Sequence, residues 1–222
     1  MNNIDFMTSL HKSTKRDYLG RVNDKEYPKA KAAMLAKQWG YDYWDGDRRI
    51  NYGGYQYIPG RWEKLAKELI LYYKLKPGDK VLDIGCGKGY LLYDLKKILP
   101  ELEIFGLDIS NYALLNSKKE ISNNLKLGNC NNLPWDDQEF DLAISLNTFH
   151  NLYCYDLQKS LCEIQRVAKN KYICVESYRN EIEKANLLYW QVTCESFFTP
   201  DEWLWWFKLC GYDGDYSFIY FE

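Results

Sequence analysis

The stretch Val81–Gly89, which reads VLDIGCGKG, decides the fold of this 222-residue chain. Its first half is a short apolar run that predicts a β-strand, and its three glycines predict a tight turn that opens a helix. Glycine lacks a Cβ atom, so the backbone of this turn can approach a ligand where another side chain would clash. In doubly wound sheets, ligands bind where such a turn follows a strand. The stretch therefore predicts a ligand-binding strand–turn–helix unit.

Strand-like and helix-like segments alternate on both sides of this unit. Short apolar runs predict strands at 80–84, 103–108, 125–128, 140–146, 171–176 and 216–222. Helical periodicity predicts helices at 63–73, 90–99, 111–123, 156–168 and 200–210, the last with Thr199 as its N-cap. This alternation is typical of an α/β fold with a doubly wound, mostly parallel sheet. The segment 187–194 fits a strand or a helix equally well, which leaves the sheet edge open.

Aromatic residues divide the chain into a core and two flanks. Eight of them fall in 39–62 and thirteen in 189–222, whereas the 126 positions of 63–188 hold thirteen. The middle segment has the composition of an ordinary α/β domain. We predict a helical cap with an aromatic lid loop over residues 1–62, and a ligand-binding domain with a variable C-terminal region over 63–222.

The spacing of the glycines argues against a dinucleotide as the ligand. The dinucleotide fingerprint is G-x-G-x-x-G, but here the third glycine comes one residue early and Tyr90 stands in its place. Asp83 precedes the first glycine by two residues, and its carboxylate would repel a pyrophosphate and attract an ammonium or sulfonium group. Asp108 ends the next predicted strand, where a carboxylate accepts hydrogen bonds from ribose hydroxyls. These residues indicate a ligand with a cationic part and an unphosphorylated ribose.

Residues 63–176 resemble the class I S-adenosylmethionine-dependent methyltransferases, a Rossmann-like family whose first motif is similar to DIGCGKG. The resemblance implies S-adenosylmethionine (SAM) as cofactor and S-adenosylhomocysteine as product. It implies contacts with the methionine part from the glycine turn, with the ribose from Asp108, and with the methyl donor from the end of the fourth strand. The implied cofactor-binding residues are Asp83, Gly85, Cys86, Gly87, Asp108, Ile109, Asn129, Cys130, Leu146 and Asn147.

The sequence departs from the family pattern in two places. Asn129 stands where family members often have an aspartate at the adenine amino edge, so the acceptor atom is kept and the charge is lost. After the fifth strand, family members usually have a helix and two more strands in an antiparallel pair. Here only 216–222 is a clear strand.

Two residues are candidates for a proton acceptor. Methyl transfer from SAM is an in-line displacement, in which the protein aligns the acceptor and excludes water, and a hydroxyl or ammonium acceptor must also lose a proton. His150 follows the fourth predicted strand, and Glu176 ends the fifth, so both fall at the ligand-binding edge of the sheet. His150 could instead cap a helix or pack on a loop, and Glu176 could instead accept a backbone hydrogen bond.

The aromatic flanks supply candidates for the acceptor pocket. The loop before residue 63 is where this family usually builds a lid, and the segment after the fifth strand is variable. The candidate substrate-binding residues are Tyr52, Tyr55, Arg61, Tyr178, Arg179 and Trp190. Glu195 could close the far wall of the pocket. Trp203, Trp205 and Trp206 share one predicted helix and favour core packing or a homodimer face.

Charge and missing motifs narrow the acceptor class. A net charge of −2 disfavours a nucleic-acid enzyme, and LNTF at 146–149 lacks the [DN]-P-P-[YF] pattern of base-amino methyltransferases. A small-molecule acceptor remains, and Arg48, Arg49, Arg61 and Arg179 could clamp a phosphate or carboxylate on it. A SAM domain with a short aromatic cap is similar to bacterial methyltransferases that modify sugars or surface-polysaccharide groups. A phosphate or phosphoramidate group on a glycan precursor would fit the arginines.

Two other functions stay open. The basic residues within 12–37 could form a docking arm of an RNA or protein methyltransferase, although a solvated amphipathic helix is the simpler interpretation of that segment. A non-catalytic SAM-binding partner in a complex would also keep Asp83 and Asp108.

Cysteine usage and hydropathy suggest a cytoplasmic protein without a metal or a membrane span. The seven cysteines form no C-x-x-C pair, and no histidine lies at ligand spacing from one of them, so a zinc site is not expected. An odd number of cysteines favours reduced thiols. The chain has no apolar run of about 18 residues that could cross a membrane. Its first residues lack the apolar core of a secretory signal.

Overall fold

The protein is described by a computed structural model over residues 1–11, 16–53 and 55–222. Its six strands are β1 Lys80–Ile84, β2 Glu103–Asp108, β3 Leu125–Leu127, β4 Phe140–Leu146, β5 Ala168–Glu176 and β6 Asp215–Ile219. They form one sheet in the order β3-β2-β1-β4-β5-β6, and each neighbouring pair is parallel. The strand order reverses between β1 and β4, and the carboxyl ends of those strands flank the crevice where such sheets bind ligands.

Helices precede the sheet in the chain and cover both of its faces. The described residues form α1 Thr8–His11, α2 Tyr18–Asn23, α3 Lys29–Ala36, α4 Tyr41–Trp44, α5 Glu63–Tyr72, α6 Tyr90–Ile98, α7 Asn111–Leu115, α8 Cys154–Val167, α9 Glu181–Trp190 and α10 Pro200–Leu209. Two short 3₁₀ turns lie at Ser122–Asn124 and Phe149–Asn151. None of the described helices is long and apolar enough to cross a membrane.

The predicted doubly wound α/β fold is confirmed, and most predicted elements are present. β1, β2 and β4 coincide with their predicted ranges, because each is an apolar run bounded by turn residues. The last helix begins as expected at Thr199, whose side chain accepts the N–H of Glu202 while the Glu202 carboxylate accepts the N–H of Thr199. This capping box fixes the start of α10.

The helix predicted over 111–123 is wrong in length, since α7 ends at Leu115. Two polar side chains compete with the backbone at that point. The Asn116 amide donates to the carbonyl of Tyr112 at 2.8 Å, and the Ser117 hydroxyl donates to the carbonyl of Leu114 at 2.8 Å. Such local bonds offer the last carbonyls of a helix an alternative to another turn.

The edge of the sheet differs from the pattern that the resemblance implies. Residues 187–190 belong to α9 rather than to a strand, and β6 pairs parallel with β5. The described residues therefore contain no antiparallel pair after β5. A short piece of chain covers the edge instead: Ile4 donates its N–H to the carbonyl of Tyr216 at 2.8 Å, and Tyr216 donates to the carbonyl of Asn2 at 3.0 Å.

Two apolar clusters, one on each face of the sheet, form the core. Adjacent residues of β1 belong to different clusters, Val81 to one and Leu82 to the other, as the alternation of a strand requires. Phe6 and Tyr172 meet edge to face in the first cluster, with ring centroids 5.1 Å apart. The N-terminal segment is thus packed into the same core as β5.

A third, smaller cluster holds the cap together. It consists of the buried residues Ala32, Ala36, Tyr43, Ile50 and Val192, so the cap packs on the segment that follows α9. The predicted boundary between residues 62 and 63 stays a prediction. Part of the proposed docking arm, residues 12–15, lies outside the described residues.

Candidate functional site

A cavity of about 440 Å³ lies over the carboxyl ends of β1, β2, β4 and β5. The turn after β1 forms one side of it, and Glu176 at the end of β5 lies on another. Cap residues, including Trp44 and Tyr52, close it from above. The cavity therefore joins the aromatic lid loop to the ligand-binding edge of the sheet.

The glycine turn packs so closely against Thr148 and Trp44 that a Cβ atom would not fit at Gly85 or Gly87. Gly85 has φ +79° and Gly87 has φ +55°, a backbone region that favours glycine. A Cβ on Gly85 would collide with the side chain of Thr148, and one on Gly87 would come within 2.5 Å of the Trp44 ring. The N–H of Gly85 donates to the carbonyl of Leu107 at 2.7 Å, which fixes the turn against β2.

Two buried carboxylates face the cavity beside this turn. Asp108 accepts the backbone N–H groups of Gly87 and Ser110, both at 2.7 Å. Burial raises the pKa of Asp108, and burial together with the charge of Asp108 raises the pKa of Asp83 to about 7. A positive charge between two such groups would offset their desolvation and repulsion. The glycine cradle and this pair thus fit the sulfonium and ribose of SAM.

All of the predicted cofactor-binding residues line this one cavity. At the far end, Ile109 is exposed at the mouth, and the Asn129 side chain accepts the N–H of Asn131 at 3.1 Å. On the other side of the turn, Leu146 is the last residue of β4, and Asn147 follows it. The residues were predicted from four separate strand ends, and the parallel sheet brings those ends to one edge.

A buried ion pair between Lys88 and Asp45 connects the lid loop to the glycine turn. Lys88 is 4% exposed, and its ammonium group lies 2.7 and 2.8 Å from the two carboxylate oxygens of Asp45. Tyr112 also donates its hydroxyl to Asp45 at 2.8 Å. Next to this pair, the indole N–H of Trp44 donates to Ser110 at 2.8 Å. The cap is therefore tied to the SAM end of the cavity by polar bonds as well as by apolar packing.

The two candidate proton acceptors contact each other on the opposite side of the cavity. His150 is 2% exposed, its Nδ1 accepts the N–H of Glu176 at 3.3 Å, and its Nε2 lies 3.6 Å from the Glu176 carboxylate. Burial lowers the pKa of His150 to about 3, so the ring is neutral. Because Nδ1 accepts a hydrogen bond, the proton of the neutral ring resides on Nε2. The ring offers a donor, not a vacant acceptor, to the carboxylate.

The Glu176 carboxylate is the more basic group of the two. Burial raises its pKa to about 8, against the lowering effects of the Arg16 charge and of a hydrogen bond from Gln191. The Gln191 carbonyl in turn accepts the hydroxyl of Tyr52 at 2.5 Å. This chain of bonds connects the lid loop to the end of β5.

The predicted substrate-binding residues divide into two groups. Tyr52, Tyr55, Arg61 and Trp190 line the cavity. Tyr178 and Arg179 lie elsewhere: Tyr178 is buried in the core, and Arg179 forms ion pairs with Glu183 and with Glu222 at 2.7 Å. Their position directly after β5 suggested a place in the pocket, but the chain turns away there to begin α9.

Two other side chains also lie away from the cavity. Arg49 forms ion pairs with Asp47 at 2.6 Å and Glu26 at 2.8 Å, which is the surface pairing that stood as the alternative to an anion clamp. Glu195 forms an ion pair with Lys37 instead of closing the far wall. These charged groups are already paired within the chain.

Sequence reasoning missed two arginines, which it assigned to a solvated helix or a docking arm. Arg16 lines the cavity, and its charge acts on Glu176. The guanidinium carbon of Arg21 lies 4.5 Å from the centre of the Trp190 ring and 5.1 Å from that of Tyr52. No local sequence pattern predicts these contacts, since Trp190 is distant from Arg21 in the chain. Within the described residues, no group of three or more His, Cys, Asp or Glu side chains could hold a metal ion.

Comparison with known proteins gives consistent matches. A family model described as a methyltransferase domain matches residues 75–211. A demethylmenaquinone methyltransferase of Symbiobacterium thermophilum is 30% identical over 145 residues, which are 60% of this chain and 57% of that protein. The 24-methylenesterol C-methyltransferase 3 of Arabidopsis thaliana is 30% identical over 136 residues, 55% of this chain and 36% of that protein. The chain thus spans about half or less of the length of these relatives.

A solved structure gives the same fold. It contains a methyltransferase from Haloferax volcanii, described as putative, in complex with the Trm112 methyltransferase activator. The match has a TM-score of 0.55 and 25% sequence identity, and it covers 66% of each chain.

Proposed function

The chain belongs to the methyltransferase domain family, and on that premise we propose that it transfers a methyl group from SAM to an oxygen or nitrogen of a small polar acceptor. The observation that carries this proposal is one cavity with two chemically different sides. Asp83 and Asp108 with the glycine turn suit a cationic nucleoside on one side. Glu176, a buried carboxylate, suits a proton donor on the other side.

Each side has a distinct task in the proposed reaction. When bound, SAM supplies a methyl group activated by its sulfonium. Asp83 offsets the positive charge, and Asp108 accepts hydrogen bonds from the ribose hydroxyls. Glu176 would accept the proton of the acceptor. An ammonium loses this proton before its nitrogen attacks, and a hydroxyl loses it as the methyl carbon–oxygen bond forms and the methyl carbon–sulfur bond breaks. The lid loop keeps water out of the cavity, which protects the donor from hydrolysis.

His150 acts on Glu176 rather than on the acceptor in this proposal. Its neutral ring accepts the backbone N–H of Glu176 and directs its own N–H towards the carboxylate. That arrangement keeps Glu176 at the end of β5 and opposes full protonation of its side chain. We therefore assign His150 a positioning role and Glu176 the proton-accepting role.

The acceptor is inferred from this chain's own residues. The names of two relatives point to a menaquinone precursor and to a sterol, which are chemically unlike each other, so family membership does not identify the acceptor. Neither name supports the sugar or surface-polysaccharide acceptor that we expected. Arg16 and Arg61 in the cavity wall support a polar acceptor over a wholly apolar one.

Two measurements test the proposal in order. Isothermal titration with S-adenosylhomocysteine should show one site per chain, and the Asp108→Asn variant should bind about tenfold or more weakly, as expected for the loss of a charged hydrogen bond. A SAM-consumption screen over phosphorylated metabolites, nucleotide sugars, carboxylic acids and quinones should then yield S-adenosylhomocysteine with a polar member. Absence of S-adenosylhomocysteine binding would contradict the proposal, and turnover with a quinone alone would correct the acceptor.

A further inference from the structure

Three arginines converge beside the acceptor side of the cavity, and we call Arg16, Arg21 and Arg48 the arginine cluster. Arg16 lines the cavity, 5.7 Å from the centre of the Trp190 ring, and Arg21 lies 4.5 Å from it. Arg48 is exposed, and its guanidinium group lies against Gly53 in the cavity wall. The cluster draws on two separate stretches of the cap, one that holds Arg16 and Arg21 and one that holds Arg48.

Burial and like charge both act against the charged forms of Arg16 and Arg21. Burial is the largest cause that lowers the pKa of each, and the charge of Arg48 adds to the lowering of both. Arg21 donates one hydrogen bond, to the carbonyl of Asn51 at 3.1 Å. Its Nε and Nη2 atoms are buried with no hydrogen-bond partner in the described part of the chain. Buried cationic groups left in this state destabilise a fold unless an anion compensates them.

The neighbouring Arg49, unlike Arg48, has its charge compensated by carboxylates of the chain. Arg49 lies within ion-pair distance of three carboxylates, those of Asp24, Glu26 and Asp47. No such pair in the described part of the chain includes Arg21 or Arg48. The two adjacent arginines of this loop thus differ: Arg49 is paired with carboxylates, whereas the guanidinium group of Arg48 lies against Gly53.

The position of the cluster assigns its anion to the acceptor rather than to SAM. The acid that acts on Arg16 is Glu176, at the end of β5. The glycine turn follows β1, and β4 lies between those two strands in the sheet. The rings of Tyr52 and Trp190 pack against the guanidinium group of Arg21 and hold it in place.

We propose that the arginine cluster binds an anionic group of the methyl acceptor, a carboxylate or a phosphate, and so holds the acceptor oxygen or nitrogen beside Glu176. This inference rests on the proposed function and adds the class of acceptor. The acceptor then carries two features, an anionic anchor and a nucleophile that can lose a proton. Arginine suits the first task, because its planar group donates paired hydrogen bonds to either kind of anion.

The test uses the full chain saturated with S-adenosylhomocysteine at constant ionic strength. Inorganic phosphate and acetate are titrated separately, with tryptophan fluorescence as the readout, since the Trp190 ring contacts Arg16 and Arg21 of the cluster. We expect saturable binding of at least one anion, and the stronger of the two distinguishes a phosphate site from a carboxylate site. If neither anion binds while S-adenosylhomocysteine does, the inference is wrong and the proposed function stands.

Matched variants complete the experiment. Arg48→Gln removes an exposed member of the cluster, and Arg49→Gln removes its surface-paired neighbour. We expect Arg48→Gln to weaken anion binding about tenfold or more, as for the loss of a charged hydrogen bond, with Arg49→Gln unchanged. Equal anion affinity in both variants would overturn the inference. The inference would also be overturned if Arg48→Gln, but not Arg49→Gln, bound S-adenosylhomocysteine more weakly. That result would assign the cluster to the carboxylate in the methionine part of the donor.

Discussion

The backbone N–H of Glu176 donates to Nδ1 of His150 at 3.3 Å, while Nε2 of the same ring lies 3.6 Å from the Glu176 carboxylate. Glu176 therefore contacts both ring nitrogens of His150. Because Nδ1 is already an acceptor, the ring holds its proton towards the carboxylate. The pair works as a unit in which the carboxylate, not the imidazole, is the group able to take up a proton.

The Glu176→Gln variant should lose most of its activity and its pH dependence. Burial raises the pKa of Glu176 to about 8, and only the deprotonated form accepts a proton, so kcat/KM for the acceptor should rise with pH and level off above about 8. Glu176→Gln should lower kcat by about 10²- to 10⁴-fold and flatten the profile. S-adenosylhomocysteine affinity serves as the control and should not change. Wild-type activity in this variant would remove Glu176 from the mechanism.

His150→Ala should lower turnover and leave donor affinity nearly intact. The loss of the ring frees the N–H and the carboxylate of Glu176, so the carboxylate becomes less well positioned. We expect His150→Asn, which keeps an acceptor for that N–H, to recover part of the activity. The pH profile of His150→Ala should still rise with pH, because the group that titrates is Glu176. Full activity in His150→Ala would dismiss both a basic and a positioning role.

The free protein should become less stable as the pH rises from about 6.5 to 8. Burial raises the pKa of Glu176 to about 8 and that of Asp83 to about 7, so these two groups bind more protons in the folded chain than in the unfolded chain. Burial lowers the pKa of His150 to about 3 and that of His11 to about 4, which acts in the opposite direction only below about pH 6.5, where unfolded histidine is protonated. The free energy of unfolding therefore falls with rising pH. Urea unfolding at several pH values measures the slope, and Glu176→Gln should make it shallower. A slope of opposite sign in this interval would contradict the prediction.

Gly85→Ala should abolish donor binding, whereas Gly78→Ala should not. Both glycines have positive φ, +79° and +85°, so both substitutions strain the backbone by about 1–2 kcal/mol. A Cβ on Gly85 would also collide with Thr148, which lines the cavity with it, whereas one on Gly78 meets no atom within 4 Å. Titration with S-adenosylhomocysteine separates the effects. Equal affinities in both variants would show that the turn does not cradle the donor.

Asp45→Ala should destabilise the protein more than Lys88→Met. Removing Asp45 leaves the buried ammonium of Lys88 unpaired, which costs about 3–5 kcal/mol in comparable pairs. Lys88→Met removes the buried charge itself and leaves Asp45 with the hydroxyl of Tyr112 and the amide of Gln56. Thermal unfolding should give the lower Tm for Asp45→Ala. The reverse order would mean that the carboxylate, rather than the ammonium, is the group that needs its partner.

Much of the SAM side of the cavity could be predicted from sequence, because its signals are local. A strand followed at once by glycines specifies backbone geometry within the stretch 81–89, and the parallel sheet then gathers the other strand ends at the same edge. The residues at the ends of β2 and β4 needed no information about distant contacts. Their roles in binding SAM remain predictions for the titrations above.

The acceptor side could not be predicted, because its contacts join distant parts of the chain. Arg21 lies in α2, which has no buried residue of its own, so its sequence is typical of a solvated helix. Its ring contact is with Trp190 in α9. Arg179 was expected in the pocket, but the structure places it in an i,i+4 ion pair with Glu183, away from the cavity lining.

Because Asn2 and Ile4 form hydrogen bonds with Tyr216, the fold can be completed only after β6 has been synthesised. The cap is made before β6 and Trp190, on which its residues pack. The β1–β2 half of the sheet is translated long before that point. A nascent chain thus has its nucleoside-binding half in place well before its acceptor half, and closing the second half requires contacts spanning nearly the whole sequence. Contacts of such separation are slow to form, so we expect the cavity to be completed late in folding.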